Sequence, residues 1–356
     1  MNEQPLELTL ELNPGSRFDL IDVRRRVLDE VGEVFRRYRR SLYCSYHTTA
    51  GFLDEVLDRR LADDQQFVDR FFSLFRRVFP PNADYRHDDL DLRSELSEAQ
   101  RRLEPRNADS HLTYIGSGLR SCVTHENDRD RPVYFVDLDG EYEGRRRVRR
   151  ATVLGYSKET RVGRLHLEVP VSAHPVDSVN LRAEPSGFDE RVAQFVAQQG
   201  VHRGRLDIAL AEDEAGAGLT VNEFETLLMR HDLVDVLRNP FHFMAEQGRH
   251  VLANPGTVPA KAWNYAKYDF IQLVNEVIDV LGLSESFVEK IVARTAAIPA
   301  SRMLRTKRSV SLLVAADEAT GVSRAVQGTY QTPILFQWQG AERQARKLDI
   351  TLSKFE

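Results

Sequence analysis

The chain has 356 residues, of which 42% are hydrophobic and 29% are charged, and its formal net charge is −5 at pH 7. These values are typical of a globular protein with room for two domains, and the mild negative charge argues against a broadly basic nucleic-acid-binding protein. The N-terminal residues show neither the basic start nor the apolar run of a signal peptide, and no apolar stretch reaches the roughly eighteen residues that a membrane span needs. We therefore expect a cytoplasmic protein that binds neither membrane nor nucleic acid.

The hydrophobic pattern of the first half mixes strands with amphipathic helices. A polar, loop-like segment runs from 84 to 110, and loops carried by a rigid sheet often hold functional sites. We predict strands at 5–12, 41–46, 119–124, 133–138, 148–156 and 164–169, and helices at 18–38, 64–78 and about 95–103.

The second half repeats the mixture after a segment with three prolines, 170–185, which we interpret as a linker. We predict helices at 188–199 and 223–238, a strand at 205–211, and a helical insertion at about 260–297 whose apolar stripe is typical of a core or an interface. The prediction is an α+β protein with domains at 1–170 and 186–356, joined by a linker at 171–185.

Two cysteines, Cys44 and Cys122, are too few for a disulfide framework, and we expect free thiols in a reducing compartment. Cys44 lies on the predicted strand that precedes His47, so a catalytic thiol is one interpretation. Burial as a small apolar residue is the commoner role of a free cysteine, and we favour it.

Two arginine-rich runs, 36–40 and 145–150, stand out from the mild overall charge. Phosphate groups of a nucleic acid or of a small substrate would be one class of partner for them. The structural alternative is that the first run ends a helix, where positive charge complements the dipole, and that the second begins a charged strand. We favour the structural interpretation for both runs.

Three histidines, His47, His87 and His111, each have a hydroxyl or carboxylate residue within two positions. A histidine that binds a metal or moves a proton needs such an oxygen partner on its second ring nitrogen. We therefore interpret these segments as parts of a metal site or an acid–base site.

The same segments resemble the YjbQ family, whose members are often labelled secondary thiamin-phosphate synthases. The resemblance covers about residues 15–157, and it lacks one element, because residues 128–131 stand where the family has Gly-Thr-Trp-Gln and Asp137 replaces a strand glutamate. The matching motifs are His-Thr-Thr-Ala at 47–50, Tyr-Arg-His-Asp at 85–88, Asn-Ala-Asp-Ser-His-Leu at 107–112 and Val-Asp-Leu-Asp-Gly at 136–140.

The missing turn reappears in the second half as Gly328-Thr329-Tyr330-Gln331, and residues 217–223 resemble the segment that follows the family's first histidine. Glu214 stands where that histidine would be. Such self-similarity indicates an internal repeat. The resemblance implies two tandem domains, each with a mixed or antiparallel, sandwich-like sheet core and flanking helices, of which the second is degenerate. Single-domain relatives form trimers, and for a tandem chain a monomer, a dimer and a trimer all stay open.

Three neutral imidazoles with one open coordination position suit zinc or another borderline divalent metal. We therefore take His47, His87 and His111 as candidate ligands, and an activated water at the metal would favour hydrolysis or deamination of a small polar substrate. A His–Asp pair acting as general acid and base without a metal is the alternative. The candidate catalytic residues are Asp88, Asp109, Asp137, Thr48 and Thr49.

Two functions follow from these observations. In the first, the chain is a metal-dependent enzyme acting on a small polar or phosphorylated molecule, as a hydrolase or, by resemblance only, a thiamin-phosphate synthase-like transferase. In the second, it is a non-catalytic small-molecule-binding or scaffold protein that kept the family fold. The loss of Gly-Thr-Trp-Gln from the first half favours the second function. Its survival at 328–331 favours the enzyme, if the second domain completes the site of the first.

Overall fold

The computed structural model of the protein describes residues 4–61, 65–127, 131–183, 187–240, 242–244, 304–317 and 319–356. The chain divides into a sheet unit, made of residues 1–64, 118–224 and 306–356, and a helical unit, made of residues 65–117 and 225–305. Each unit takes segments from both halves of the chain. The compact units therefore cut across the predicted domains, and the predicted insertion at 260–297 lies outside the described residues.

The described helices are α1 (Val23–Val31), α2 (Glu55–Leu61), α3 (Gln65–Val78), α4 (Glu98–Arg101), α5 (Ala108–Ser117), α6 (Phe188–Gln199) and α7 (Leu233–Arg238), with a 3-10 helix at Gly32–Arg37 and a π-helical turn at Leu228–Asp232. The strands of the first half are β1 (Leu6–Leu12), β2 (Asp19–Asp22), β3 (Arg40–Ser45), β4 (Ala50–Phe52), β5 (Cys122–Glu126), β6 (Tyr134–Asp137), β7 (Glu141–Tyr142), β8 (Arg145–Arg146) and β9 (Arg149–Tyr156). Those that follow are β10 (Glu159–Pro170), β11 (Asp177–Asn180), β12 (Arg203–Leu210), β13 (Ala217–Asn222), β14 (Ser309–Ala316), β15 (Ser323–Val326), β16 (Thr332–Gln337) and β17 (Ala345–Phe355). No described helix is long and apolar enough to cross a membrane.

Strands β1 to β9 form two larger antiparallel sheets, with the orders β1-β9-β3-β5 and β2-β6-β4, and a two-stranded sheet of β7 and β8. The strands of the second half form sheets with the orders β10-β17-β12-β14-β15 and β11-β16-β13. The larger sheets of the two sets match strand for strand, apart from the extra edge strand β15. The pair β7-β8 has no counterpart among the described later strands, and in both sets a helix follows the second strand. The mixture of antiparallel sheets and helices confirms the predicted α+β fold.

Apolar faces hold the sheet unit together. One core lies between the first sheets and α1, and a second, larger one lies between the later sheets and α6. A third cluster joins β3, β5 and β9 to β14 and β17, where the rings of Tyr156 and Phe355 stack with centroids 3.9 Å apart. Burial of such side chains stabilises a fold by about 1.5–3 kcal/mol each.

The start of α1 differs from the predicted helix at 18–38. Residues 19–22 form β2, which pairs with β6 from Asp19 opposite Asp137 to Asp22 opposite Tyr134. The helix begins only at Val23, where the Asp22 carboxylate accepts a hydrogen bond from the Arg25 N–H. Because the partner strand lies far away in the sequence, the local apolar pattern could not show this pairing.

The predicted linker at 171–185 contains a strand. Residues 177–180 form β11 and pair with β16, and β10, which was assigned to the first domain, pairs with β17. The change from the first set of strands to the second therefore falls between Tyr156 and Glu159. The prolines at 170–185 suggested a linker. The strand β11 within it was not predicted because its hydrogen-bonding partner, β16, lies more than a hundred residues later in the sequence.

The helical unit begins with α3, whose buried face is rich in phenylalanine and packs against α5. A Cβ atom at Gly116 of α5 would lie 2.7 Å from the Phe79 ring, so only glycine fits there. Residues 108–117 are helical, which corrects the prediction of a loop around His111. All ten residues of α5 are buried, so the segment lacks the amphipathic period by which sequence patterns indicate a helix.

Candidate functional site

The predicted site residues fall into two groups. The sheet unit holds His47, Thr48, Thr49 and Asp137, and the helical unit holds His87, Asp88, Asp109 and His111. Within the described part of the chain, no group of three His, Cys, Asp or Glu side chains is arranged to hold a metal ion. The zinc site stays a prediction.

In the helical unit, His87 and Asp88 form a hydrogen-bonded dyad. Asp88 Oδ1 lies 2.9 Å from His87 Nδ1 and 3.1 Å from the N–H of Ala108, the first residue of α5. The side chain of His87 is 1% exposed, and its ring centroid lies 5.5 Å from that of His111. The structure therefore brings the Tyr-Arg-His-Asp and Asn-Ala-Asp-Ser-His-Leu motifs together.

Asp232 supports this dyad from the π-helical turn. Its two carboxylate oxygens accept hydrogen bonds from the backbone N–H groups of Arg86 and His87, at 2.9 and 3.0 Å. Burial raises the pKa of Asp232 to about 7, although these two hydrogen bonds act in the other direction. Sequence reasoning missed Asp232, because nothing in its local context marks it. π-Helical turns are frequent at functional sites.

The dyad has the geometry of a general base and its orienting carboxylate. Burial lowers the pKa of His87, but the hydrogen bond and charge of Asp88 more than offset this, so the pKa is raised from its ordinary value. With Nδ1 held by Asp88, Nε2 is the ring nitrogen left for proton transfer. Asp109 is buried on α5, two residues before His111.

In the sheet unit, His47 follows the end of β3 and accepts a hydrogen bond at Nε2 from the Arg150 N–H, at 2.8 Å. The guanidinium of Arg149 lies 3.5 Å from Nδ1. Burial, followed by the charges of Arg149, Arg150 and Arg147, lowers the pKa of His47 to about 3. The ring is therefore neutral, and both of its nitrogens face N–H donors. An occupied Nε2 lone pair and three nearby cations do not fit a zinc ligand.

Arg149 is the centre of this cluster. Its guanidinium donates to both carboxylate oxygens of Asp137, at 2.7 and 2.8 Å, to the carbonyl of Asp139 at 2.7 Å, and to Thr49 Oγ1 at 3.4 Å. Asp137, a predicted catalytic residue, is thus held in a buried ion pair.

The second half repeats this arrangement around Arg346. Its guanidinium donates to Glu214 Oε2 at 2.8 Å, to the Gln339 carbonyl and to Gln337 Oε1. The Lys347 N–H donates to Glu214 Oε1 at 2.9 Å, as the Arg150 N–H donates to His47. Glu214 thus accepts a backbone hydrogen bond of the kind that His47 accepts. A cavity of about 480 Å³ lies beside it, lined by both acidic and basic side chains.

The Gly328-Thr329-Tyr330-Gln331 turn contacts the His47 segment. The Gln331 amide donates to the carbonyl oxygens of Ser45 and His47, at 3.1 and 3.0 Å. A Cβ atom at Gly328 would lie 2.0 Å from the Tyr46 carbonyl oxygen, so the close approach requires glycine. A turn from the second half therefore positions the backbone at His47, whereas the Tyr330 side chain is 71% exposed.

Replacing Gln331 by Ala should lower the free energy of unfolding by about 1–3 kcal/mol, because it leaves the Ser45 carbonyl without its amide donor. Tyr330→Ala, in the same turn, should change it by less than about 0.5 kcal/mol, because that side chain is exposed. Urea unfolding of both variants measures the difference. Equal losses would show that the amide does not hold the His47 segment.

Arginines of the 145–150 run carry charge that the described structure leaves unpaired. Arg145 and Arg146 on β8 and Arg150 on β9 are exposed, and among the described residues none of the three forms an ion pair. Arg147, by contrast, pairs with Asp139 at 2.7 Å. This surface is suited to an anion.

No family model and no curated protein sequence matches the chain. Among solved structures, a YbjQ-like protein of unknown function from Sulfolobus solfataricus is similar with 15% identity and a TM-score of 0.29, over 55% of this chain and 99% of its own. A hypothetical protein from Aeropyrum pernix is similar with 16% identity and a TM-score of 0.29, over 53% and 97%. An uncharacterized conserved protein of the YjbQ family from Clostridium acetobutylicum is similar with 19% identity and a TM-score of 0.29, over 41% and 97%. This chain is similar to YjbQ-like proteins over about half of its length, and nearly the whole of each of these matching chains is covered.

Proposed function

We propose that the protein is an enzyme that acts on a small polar or phosphorylated molecule by acid–base chemistry, with His87 and Asp88 as the proton-transferring pair. The observation that carries the proposal is the 2.9 Å hydrogen bond between His87 Nδ1 and Asp88 Oδ1 in a buried setting. Asp88 orients the ring and stabilises it when it is protonated. His87 Nε2 would then take a proton from a hydroxyl group or a water molecule.

The surrounding groups fix the dyad in place. Asp88 is held by the N–H at the start of α5, and the backbone of His87 is held by Asp232. Preorganised groups of this kind cost no rearrangement when the proton moves. His111, with its ring 5.5 Å from that of His87, is a second group that can exchange a proton in the same cluster.

Replacing His87 by Gln should lower turnover by about 100-fold or more, because glutamine fills similar space but accepts no proton. The chain offers a matched control, His166→Gln, which removes an exposed histidine whose Nδ1 lies 2.5 Å from Asp349 Oδ1. Turnover can be followed by NMR in a mixture of phosphate monoesters, amides and esters. Equal activity of the two variants would contradict the proposal.

Non-catalytic binding of a small anion is the second candidate, favoured by the exposed Arg145, Arg146 and Arg150. Of these, Arg150 donates its backbone N–H to His47. Calorimetric titration with inorganic phosphate tests it. Arg150→Ala should weaken binding, and Arg164→Ala, which removes an exposed arginine from β10, should not. Equal affinities would remove this site from consideration.

A zinc-dependent form of the enzyme, with His47, His87 and His111 as ligands, is tested by elemental analysis of the untagged protein and of the triple His→Ala variant. The hydrogen bond at His47 Nε2 argues against that residue as a ligand. Near-stoichiometric zinc that disappears in the variant would favour the metal form. Turnover without bound metal would favour the dyad alone.

We also infer that the chain contains two copies of a YjbQ-like domain, meeting near residues 157–158. The matching strand orders support this inference, as do the equivalent hydrogen bonds around Arg149 and Arg346. In this interpretation the second copy keeps the strand scaffold and lends Gln331 to the first.

A further inference from the structure

Cys44 and Cys122 face each other on neighbouring antiparallel strands, β3 and β5, where they are directly opposed in register. Directly opposed residues in such pairs have Cα atoms about 4.5–5.5 Å apart, which lies within the roughly 4.4–6.8 Å span of a disulfide. The two Sγ atoms are 2.8 Å apart. Both thiols are free, and their register and Sγ separation suit a disulfide.

The pair lies in the apolar cluster between the larger sheets, and each cysteine is 3% exposed. Burial raises the pKa of the Cys44 thiol well above its ordinary value. Reactive thiolate is therefore scarce, and a bulky disulfide reagent has no access to the sulfur atoms. A small oxidant is the reagent class that suits this environment, and the reaction should be slow.

We propose that Cys44 and Cys122 form a redox pair that a peroxide oxidises to a disulfide. In the first step, hydrogen peroxide transfers one oxygen to one thiol, which yields a sulfenic acid and one water. In the second step, the other thiol's sulfur attacks the sulfenic sulfur, the S–S bond forms as the S–O bond breaks, and a second water leaves with the thiol proton. The two cysteines lose two electrons, and the peroxide gains them.

The consequence of the bond follows from the order of the chain. Residues 65–117, which carry His87 and His111, lie between the two cysteines, so the disulfide closes a loop that contains this whole segment. Cross-linking across a long loop restricts the unfolded chain. The oxidised protein should therefore melt roughly 5–10 °C above the reduced one.

The test is to treat the native wild-type protein with hydrogen peroxide, unfold it in an alkylating reagent and measure its mass. We expect the loss of two hydrogens, no alkylated cysteine, a peptide that links Cys44 to Cys122, and a raised melting temperature that dithiothreitol reverses. Cys44→Ala should keep its melting temperature after peroxide. Two alkylated thiols after peroxide treatment, oxidation to sulfinic or sulfonic acid, or a bond between two chains would each overturn the proposal. The wild-type measurement is decisive even if the variant fails to fold.

Discussion

Replacing Arg149 by Met should lower the free energy of unfolding by about 3–5 kcal/mol. Asp137 is 0% exposed, and its carboxylate accepts two hydrogen bonds from the Arg149 guanidinium. Methionine fills part of the space but leaves that carboxylate buried without its cation. Guanidinium chloride unfolding, followed by far-ultraviolet circular dichroism, measures the loss.

The equivalent substitution in the second half, Arg346→Met, provides the matched control. There the partner of the Arg346 Nε atom is Gln337, which is neutral, and Glu214 keeps a hydrogen bond from the Lys347 N–H. We expect a smaller loss, and we expect Asp137→Asn to recover part of the stability of Arg149→Met. An Arg149→Met variant no less stable than Arg346→Met would contradict the assignment of Asp137 as a buried ion-pair partner.

Asp58→Asn should stabilise the protein much more at pH 8 than at pH 4.5. Asp58 lies on α2 and is 3% exposed, and burial raises its pKa to about 7, although the charges of Arg24 and Arg131 act in the other direction. The neighbouring His125, with Nδ1 at 3.7 Å, provides no compensating charge, because burial and Arg24 lower its pKa to about 4.

The direction in which stability changes with pH follows from the number of protons that the folded and unfolded states bind. Between about pH 4 and pH 7 the folded protein keeps a proton on Asp58 that the unfolded chain has released, so stability falls as the pH rises through this window. At pH 8 the ionised, buried carboxylate costs on the order of 4 kcal/mol, and asparagine removes that cost.

Urea unfolding at pH 4.5, 6 and 8 tests this expectation, with Asp69→Asn on the exposed face of α3 as the control. The control should stay within about 0.5 kcal/mol of wild type at each pH. A stability difference between Asp58→Asn and wild type that does not change with pH would show that Asp58 is ionised at no cost in the folded protein.

Local sequence patterns were sufficient for much of the fold. The strand before His47, the helix α6 and the position of Glu214 all follow from apolar period or motif spacing. The pairing of β10 with β17 does not, because it joins residues that are far apart in sequence. Local period reports which face of a strand is buried but not which strand lies beside it.

The candidate site was predicted only in part, because local motifs do not show which distant residues contact each other. The motifs around His87 and His111 indicated polar chemistry, and the structure places the two rings side by side. Asp232 was missed because it lies in a helical segment with no motif. The position of Asp137 in the family-like motif at 136–140 made it a candidate catalytic residue. The structure pairs it with Arg149, an arginine that the sequence showed only as part of a basic run.

The most direct test of the His87–Asp88 assignment is a crystal structure of the Asp88→Asn variant with a substrate that the NMR turnover assay has identified. Slowed turnover in this variant should preserve the bound molecule. We expect a substrate hydroxyl group, or a water molecule next to the reacting atom, within about 3.2 Å of His87 Nε2. A substrate bound only elsewhere, with no density at the dyad, would contradict it.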